Sequence, residues 1–226
     1  SSEGEYDPKE YVPTSERNTE EMYSKILKYV NDIEDPYLNK LVSKFFVEDK
    51  KFITSFKEHT AAKTVHHNFM GGLLEHTLSV VEMCEFFANQ YAIINRDLLY
   101  TAALFHDIGK ISELSSFPII EYTDPGQLLG HIIISVEWVG EKIKEIDNFP
   151  DKLAYLLKHC ILAHHGELEY GSPKKPAIIE AVALHFADNV DAKIKTFETM
   201  LKKADEQEDW LGWQRLFESN LRKTRY

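Results

Sequence analysis

Along most of this chain apolar residues recur every three or four positions, the spacing that gathers side chains on one side of a helix. The first such segment predicts a helix over 19–33, starting at Thr19 with Glu20 and Glu21 in its first turn. Pro36 suits the first turn of a second helix that runs to about Val47, and a third follows over 48–58. Periodic segments further on predict helices at about 73–90, 96–107, 126–146, 150–164, 176–204 and 207–222. Strand signals are poor, and FPIIEY at 117–122 is the one stretch with the branching and alternation of a strand. The expected architecture is all-α, a multi-helix bundle.

Residues 1–18 break the pattern. Gly4, Pro8 and Pro13 stand among acids without periodicity, as in a linker, and the chain opens SSEGEYDP rather than on methionine. A linker, or the remnant of a preceding domain of a longer protein, is expected there, followed by one domain over 19–226. The 226 residues are enough for one well-packed core and short for two.

Composition removes several classes of function. At 43% hydrophobic and 12% aromatic residues the chain is not disordered. It has no run near the roughly 20 apolar residues of a membrane span, and its first residues lack the charged-then-apolar pattern of a signal peptide. A cytoplasmic protein is expected, with Cys84 and Cys160, both inside apolar helical patterns, as reduced core residues. A net charge of -11 argues against a broad basic surface that grips nucleic acid through its phosphates. It leaves room for an acidic protein whose site gains positive charge from bound cations.

Candidate chemistry lies on the apolar stripes themselves. His76 aligns with Leu73, Val80, Met83 and Phe87; His106 with Leu99, Ala102 and Ala103; His131 with Ile134 and Trp138; His164 with Leu153, Leu157 and Cys160; and Asp188 with Ala181, Leu184 and Ala192. One inward histidine is ordinarily a hydrogen-bonded core residue. Four of them with an inward aspartate, from five helices, are different, because a buried carboxylate is strongly destabilising unless it is paired or metal-bound. A shared metal ion resolves this. Imidazole and carboxylate suit zinc, iron, manganese, cobalt or nickel, and the lack of cysteine in the set argues against a structural zinc-thiolate site. In LFHDIGK, Gly109 can end the helix just after His106 and Asp107, leaving the negative end of its dipole where cations are favoured.

The order His76, His106-Asp107, Asp188 resembles the HD-domain metal-dependent phosphohydrolase superfamily, named for the adjacent pair. His131 and the pair His164-His165 match the additional histidines of its two-metal members. HHNFMGGLLEHTLSV, ALFHDIGKI, QLLGHI, ILAHHGELEYGSP and ALHFADNVDAK together resemble the catalytic domain of the YhaM-type 3′-to-5′ exoribonucleases over about 64–194. The resemblance implies an HD-domain bundle around two divalent ions. His76, His106, Asp107 and Asp188 would hold one ion. Asp107 would bridge to the other, completed by His131 and His164, with His165 a ligand or a near-site group. It further implies catalysis centred on Asp107, with Lys110 beside the site offsetting phosphate charge, and the 3′ end of single-stranded RNA or DNA as substrate. The alternatives are an HD-domain hydrolase of a small nucleotide or cyclic dinucleotide, and a noncatalytic helical RNA-binding or regulatory module. The family carries an oligonucleotide-binding β-barrel ahead of this domain, where this chain has a short acidic segment. Such a domain is expected in a longer form of the protein, and an oligomer is an open possibility.

Other residues keep two readings each. His66 and His67, ahead of Gly71 and Gly72, meet substrate at the mouth of the site or serve a loop. Lys174 and Lys175, between Pro173 and Pro176, form a phosphate-facing basic spot or are surface lysines. Lys110 is alternatively a solvated lysine at a helix end, and His185 either supports the site or is a core histidine. Arg222, Lys223 and Arg225 are a solvated helix end or a nucleic-acid contact.

Overall fold

The computed structural model describes residue 15 and residues 17–62, 69–117, 119–205 and 207–225. Its helices are α1 (Thr19–Asp32), α2 (Pro36–Ser43), α3 (Lys50–Glu58), α4 (Gly72–Gln90), α5 (Arg96–Phe105), α6 (Lys110–Glu113), α7 (Asp124–Leu128), α8 (Gly130–Lys144), α9 (Asp151–Ala163) and α10 (Ile179–Lys203). Strands β1 (Trp210–Gln214) and β2 (Ser219–Arg222) close the described chain. Polar caps set several helix starts. Asn18 accepts from the Glu21 amide, Asp35 from the amides of Tyr37 and Leu38, and Asn95 from that of Leu98.

The core forms around α4 and α5. Leu73, Leu74, Leu78, Val80 and Val81 of α4 are fully buried, as are Leu99, Ala102, Ala103, Leu104 and Phe105 of α5. Helices covered on nearly every side belong at the centre of a bundle. A π-helical turn, Lys44–Glu48, directs Phe45 and Phe46 into this core. There Phe46 meets Phe56 edge-on at 5.2 Å and Phe45 meets Phe105 at 5.0 Å. Cys84 and Cys160 are buried and free, and burial pushes both thiols up, Cys160 to about 12. No helix of the described residues is long and apolar enough to cross a membrane.

The bundle is all-α as expected, with three departures. The helix predicted over 126–146 is broken into α7 and α8, because Gly130 takes a left-handed backbone at φ +74° that no helix interior tolerates. The strand predicted at 117–122 is reduced to an isolated bridge between Leu114 and Tyr122, with Ser115 closing the loop by donating to the Ile119 carbonyl. The helix predicted over 207–222 is instead the β1–β2 hairpin. Positive φ at Gly212 (+77°) and Glu218 (+47°) is incompatible with a helix, and pairing lets Leu221 bury at 8% exposure.

Candidate metal centre

Helices α5 and α9 each end on a histidine, and this local feature builds the centre. The last carbonyls of a helix lack partners within it. At the end of α5 the His106 ring reaches back to the Ala103 carbonyl at 2.7 Å, and at the end of α9 the His164 ring reaches the Ile161 carbonyl at 2.7 Å. A carbonyl can only accept, so Nδ1 of each ring carries the proton and Nε2 presents a lone pair. The same arrangement recurs in three more rings. His165 donates from Nδ1 to the Tyr170 carbonyl at 2.8 Å, His76 to Asp191 Oδ2 at 2.7 Å, and His131 to Glu113 Oε1 at 3.0 Å. Five histidines are thereby set to offer Nε2.

These Nε2 atoms converge on Asp107 from two sides. His76 Nε2 lies 3.2 Å from His106 Nε2, 3.3 Å from Asp107 Oδ2 and 3.2 Å from Asp188 Oδ1. The other carboxylate oxygen, Asp107 Oδ1, lies 3.4 Å from His131 Nε2 and 3.6 Å from His164 Nε2, and the His165 ring stands 4.3 Å from that of His164. Two groups of potential ligands result: His76, His106 and Asp107, and His131, His164 and His165. Asp107 Oδ1, His131 Nε2 and His164 Nε2 are all buried without a hydrogen-bond partner. Lone pairs facing one another cannot hydrogen-bond, whereas a cation between them satisfies all three, and the nitrogen-and-oxygen donor set suits a divalent metal.

Electrostatics agree. Burial disfavours a charged His76, yet Asp107, Asp188 and Asp191 raise it well above the usual histidine range, so the pocket at its Nε2 calls for positive charge. Burial opposes the Asp107 charge as well, but Lys110 and His106 hold it far below the usual carboxylate range. Lys110 Nζ sits 2.6 Å from Asp107 Oδ2 and is 15% exposed. Burial works against its charge too, and Asp107 more than offsets this. Burial, then His164, lowers His165 to about 4, keeping the ring neutral and able to ligate.

Gly109 acts differently from the expectation. Its φ of -63° is right-handed, so it does not end α5 by a left-handed cap. Its lack of a side chain serves close packing, since a Cβ there would fall 2.2 Å from the His131 carbonyl oxygen on α8. Ser135 of α8 fastens this approach, accepting from the Gly109 amide at 2.8 Å and donating to the His106 carbonyl at 3.3 Å.

Of the other residues singled out in the sequence, His185 is a support, donating from Nδ1 to the His164 carbonyl at 3.0 Å. Lys174 and Lys175 are exposed, and Lys175 pairs with Glu167 at 2.6 Å. His66 and His67 lie outside the described residues. Asp191, Glu113 and Ser135 escape a reading based on apolar stripes. The available signal for the first two is an acid three residues after a candidate site residue, Asp188 and Lys110 respectively, which puts it one helical turn away on nearly the same face.

Comparison with known proteins accords with this geometry. The family model for the HD domain matches residues 73–193. The chain is 35% identical over 194 residues to the 3′-5′ exoribonuclease YhaM of Geobacillus sp. (strain WCH70), covering 86% of this chain and 59% of that protein. It is equally identical, over 194 residues, to 3′-5′ exoribonuclease YhaM of Bacillus subtilis (strain 168), and 37% identical over 193 residues to that of Listeria welshimeri, with 60% of each relative covered. The chain thus spans about three fifths of the length of the curated relatives it matches. No solved structure matches at comparable significance. With the family model covering more than half of the sequence and a donor set that fits a divalent metal, the chain belongs to the HD-domain family of metal-dependent phosphohydrolases.

Proposed function

We propose that this chain removes nucleotides from the 3′ end of single-stranded RNA. The observation that carries this reading is Asp107, whose two oxygens face separate sets of histidines, as two ions sharing one carboxylate require. In this reading His76, His106, Asp107 and Asp188 hold one ion, and Asp107, His131, His164 and His165 the other. The pair, drawn from manganese, iron, cobalt, nickel and zinc, would supply Lewis-acid activation of water and neutralise charge on the scissile phosphodiester.

The protein's own contribution is placement. Asp107 is held on one side by Lys110, and a lysine kept charged and partly exposed beside the centre adds positive charge where a phosphate oxygen gains negative charge. The Nδ1 hydrogen bonds fix each ring before substrate arrives, so little reorganisation is needed at the moment of reaction. His66 and His67, shortly before α4 in the chain, are assigned to substrate at the mouth of the site. The exposure of Lys174 and Lys175, and the ion pair of Lys175 with Glu167, support the reading of these two as surface lysines. The RNA preference draws on the named activity of the relatives in Geobacillus, Bacillus and Listeria.

Elemental analysis of the purified protein, with a 5′-labelled single-stranded RNA assay in manganese on wild type and Asp107→Ala, tests this directly. About two metals per chain and a ladder of shortened products that is lost in the variant are expected. Bound metal with nucleotide turnover but no shortening would move the assignment to a small-molecule hydrolase. Activity undiminished in chelator would overturn the metal-dependent reading altogether.

A further inference from the structure

The terminal hairpin carries a feature that the metal centre does not use. β1 and β2 pair antiparallel with Trp210 opposite Arg222, Gly212 opposite Leu221 and Trp213 opposite Asn220. The register slips between Trp210 and Gly212, a β-bulge that Gly212 accommodates with its φ of +77°. Paired residues share a face and successive residues alternate. Leu221 therefore points inward, and Asn220 and Arg222 point out. Through the bulge Trp210 and Trp213, three residues apart, share that outer face, where regular alternation would have separated them. They are 56% and 68% exposed, and the Arg222 guanidinium lies 5.9 Å from the Trp210 ring centroid. On the inner side Phe217 meets Phe197 edge-on at 5.6 Å, anchoring the hairpin to α10, the helix that carries Asp188 and Asp191.

Two large exposed aromatic rings on one face contribute little to folding and favour association with something else. Local charge says with what. The cation beside the rings is Arg222, and from Trp210 onward the sequence has four basic residues, Arg215, Arg222, Lys223 and Arg225, against the acid Glu218, directly after a run that holds Asp205, Glu206, Glu208 and Asp209. Asp209 orders two of the basic residues beside the rings, taking Arg222 at 3.1 Å and Arg225 at 2.5 Å. A two-fold contact with a second copy through this face would set the same basic residues against each other. Flat rings side by side with arginine suit single-stranded nucleic acid, whose bases stack on aromatic faces while its phosphates meet the cations.

We propose that the β1–β2 hairpin is a stacking platform for single-stranded RNA. Trp210 and Trp213 take bases on the 5′ side of the bond being cut, and Arg215 and Arg222 meet the neighbouring phosphates. This rests on the exoribonuclease reading and extends it, giving an acidic domain its own hold on a strand. From Asp188 to Phe197 the axial rise along α10 is about 13 Å and the helix turns by about half a revolution, so the strand has to pass around α10 to reach the hairpin, a path that needs several nucleotides.

The test compares wild type, Trp210→Ala, Trp213→Ala and Trp213→Phe, each checked for an unchanged thermal midpoint. Their substrates are a labelled RNA of several nucleotides and a dinucleotide too short to reach the hairpin. Either alanine variant is expected to raise KM for the longer RNA roughly fivefold or more while kcat holds. The dinucleotide should be turned over as before, Trp213→Phe should retain most of the affinity, and longer RNA should quench wild-type tryptophan fluorescence more than it quenches either alanine variant. An unchanged KM in both alanine variants, on an RNA that wild type does shorten, would overturn the platform and leave the nuclease reading intact. So would a change of association state without a change of KM, which would identify the face as a protein contact. Failure of wild type to shorten RNA, with no RNA-dependent quenching, would overturn both readings together, whereas quenching without shortening would keep the platform and remove the nuclease.

Discussion

Each histidine of the centre is oriented by what its Nδ1 touches, and the two carboxylate anchors are the parts most open to a clean test. Asp191 holds His76 at 2.7 Å and Glu113 holds His131 at 3.0 Å, one on each side of Asp107. Replacing either acid by its amide removes the charge that fixes the ring while keeping its shape. Calorimetric metal titration should show that Asp191→Asn weakens one ion and Glu113→Gln the other, each by about tenfold or more. Equal affinity in both variants would mean that the rings are held by packing alone. Gly109 is a second sensitive position. Gly109→Ala would force its new methyl against the His131 carbonyl, and a loss of about 1–3 kcal/mol in denaturant unfolding, together with weaker metal binding, is expected.

Among the elements, α5 and α9 bring the negative ends of their dipoles to the centre together with His106 and His164, so the backbone adds to the field that attracts cations. The precision of that placement depends on the wall behind it. Phe105, immediately before His106, is fully buried and packs on the rings of Phe45 and Phe46. Phe105→Ala should destabilise the fold by about 3–5 kcal/mol in chemical denaturation and should also loosen metal binding, because the end of α5 loses its backing. α6 has the opposite character. Only four residues long, it still delivers both Lys110 to Asp107 and Glu113 to His131, so one short turn serves both sides of the centre.

For the whole molecule, the centre ties together α4, α5, α6, α8, α9 and α10, and a metal bound there cross-links helices that are far apart in sequence. A ligand that binds the folded chain and not the unfolded one stabilises it by mass action. Chelation should therefore lower the midpoint of thermal unfolding by roughly 5–10 °C, with recovery on adding manganese. A midpoint indifferent to chelator would show that the helices hold the centre without help. The inward stripes containing His76, His106, His131, His164 and Asp188 were readable from spacing alone, because a helix that buries one face must repeat apolar residues every three or four positions whatever it packs against. The same logic placed α1 to α5 and α9 close to their observed limits. It could not show that Gly130 breaks a helix or that the last segment pairs as a hairpin, since backbone handedness at a glycine and the choice of a strand partner depend on surrounding contacts. Nor could it assign Asp191 to His76 or Glu113 to His131. Periodicity records which residues are buried, while the packing of separate helices decides which buried groups meet, and the division of Asp107 between two sets of histidines exists only once that packing is complete.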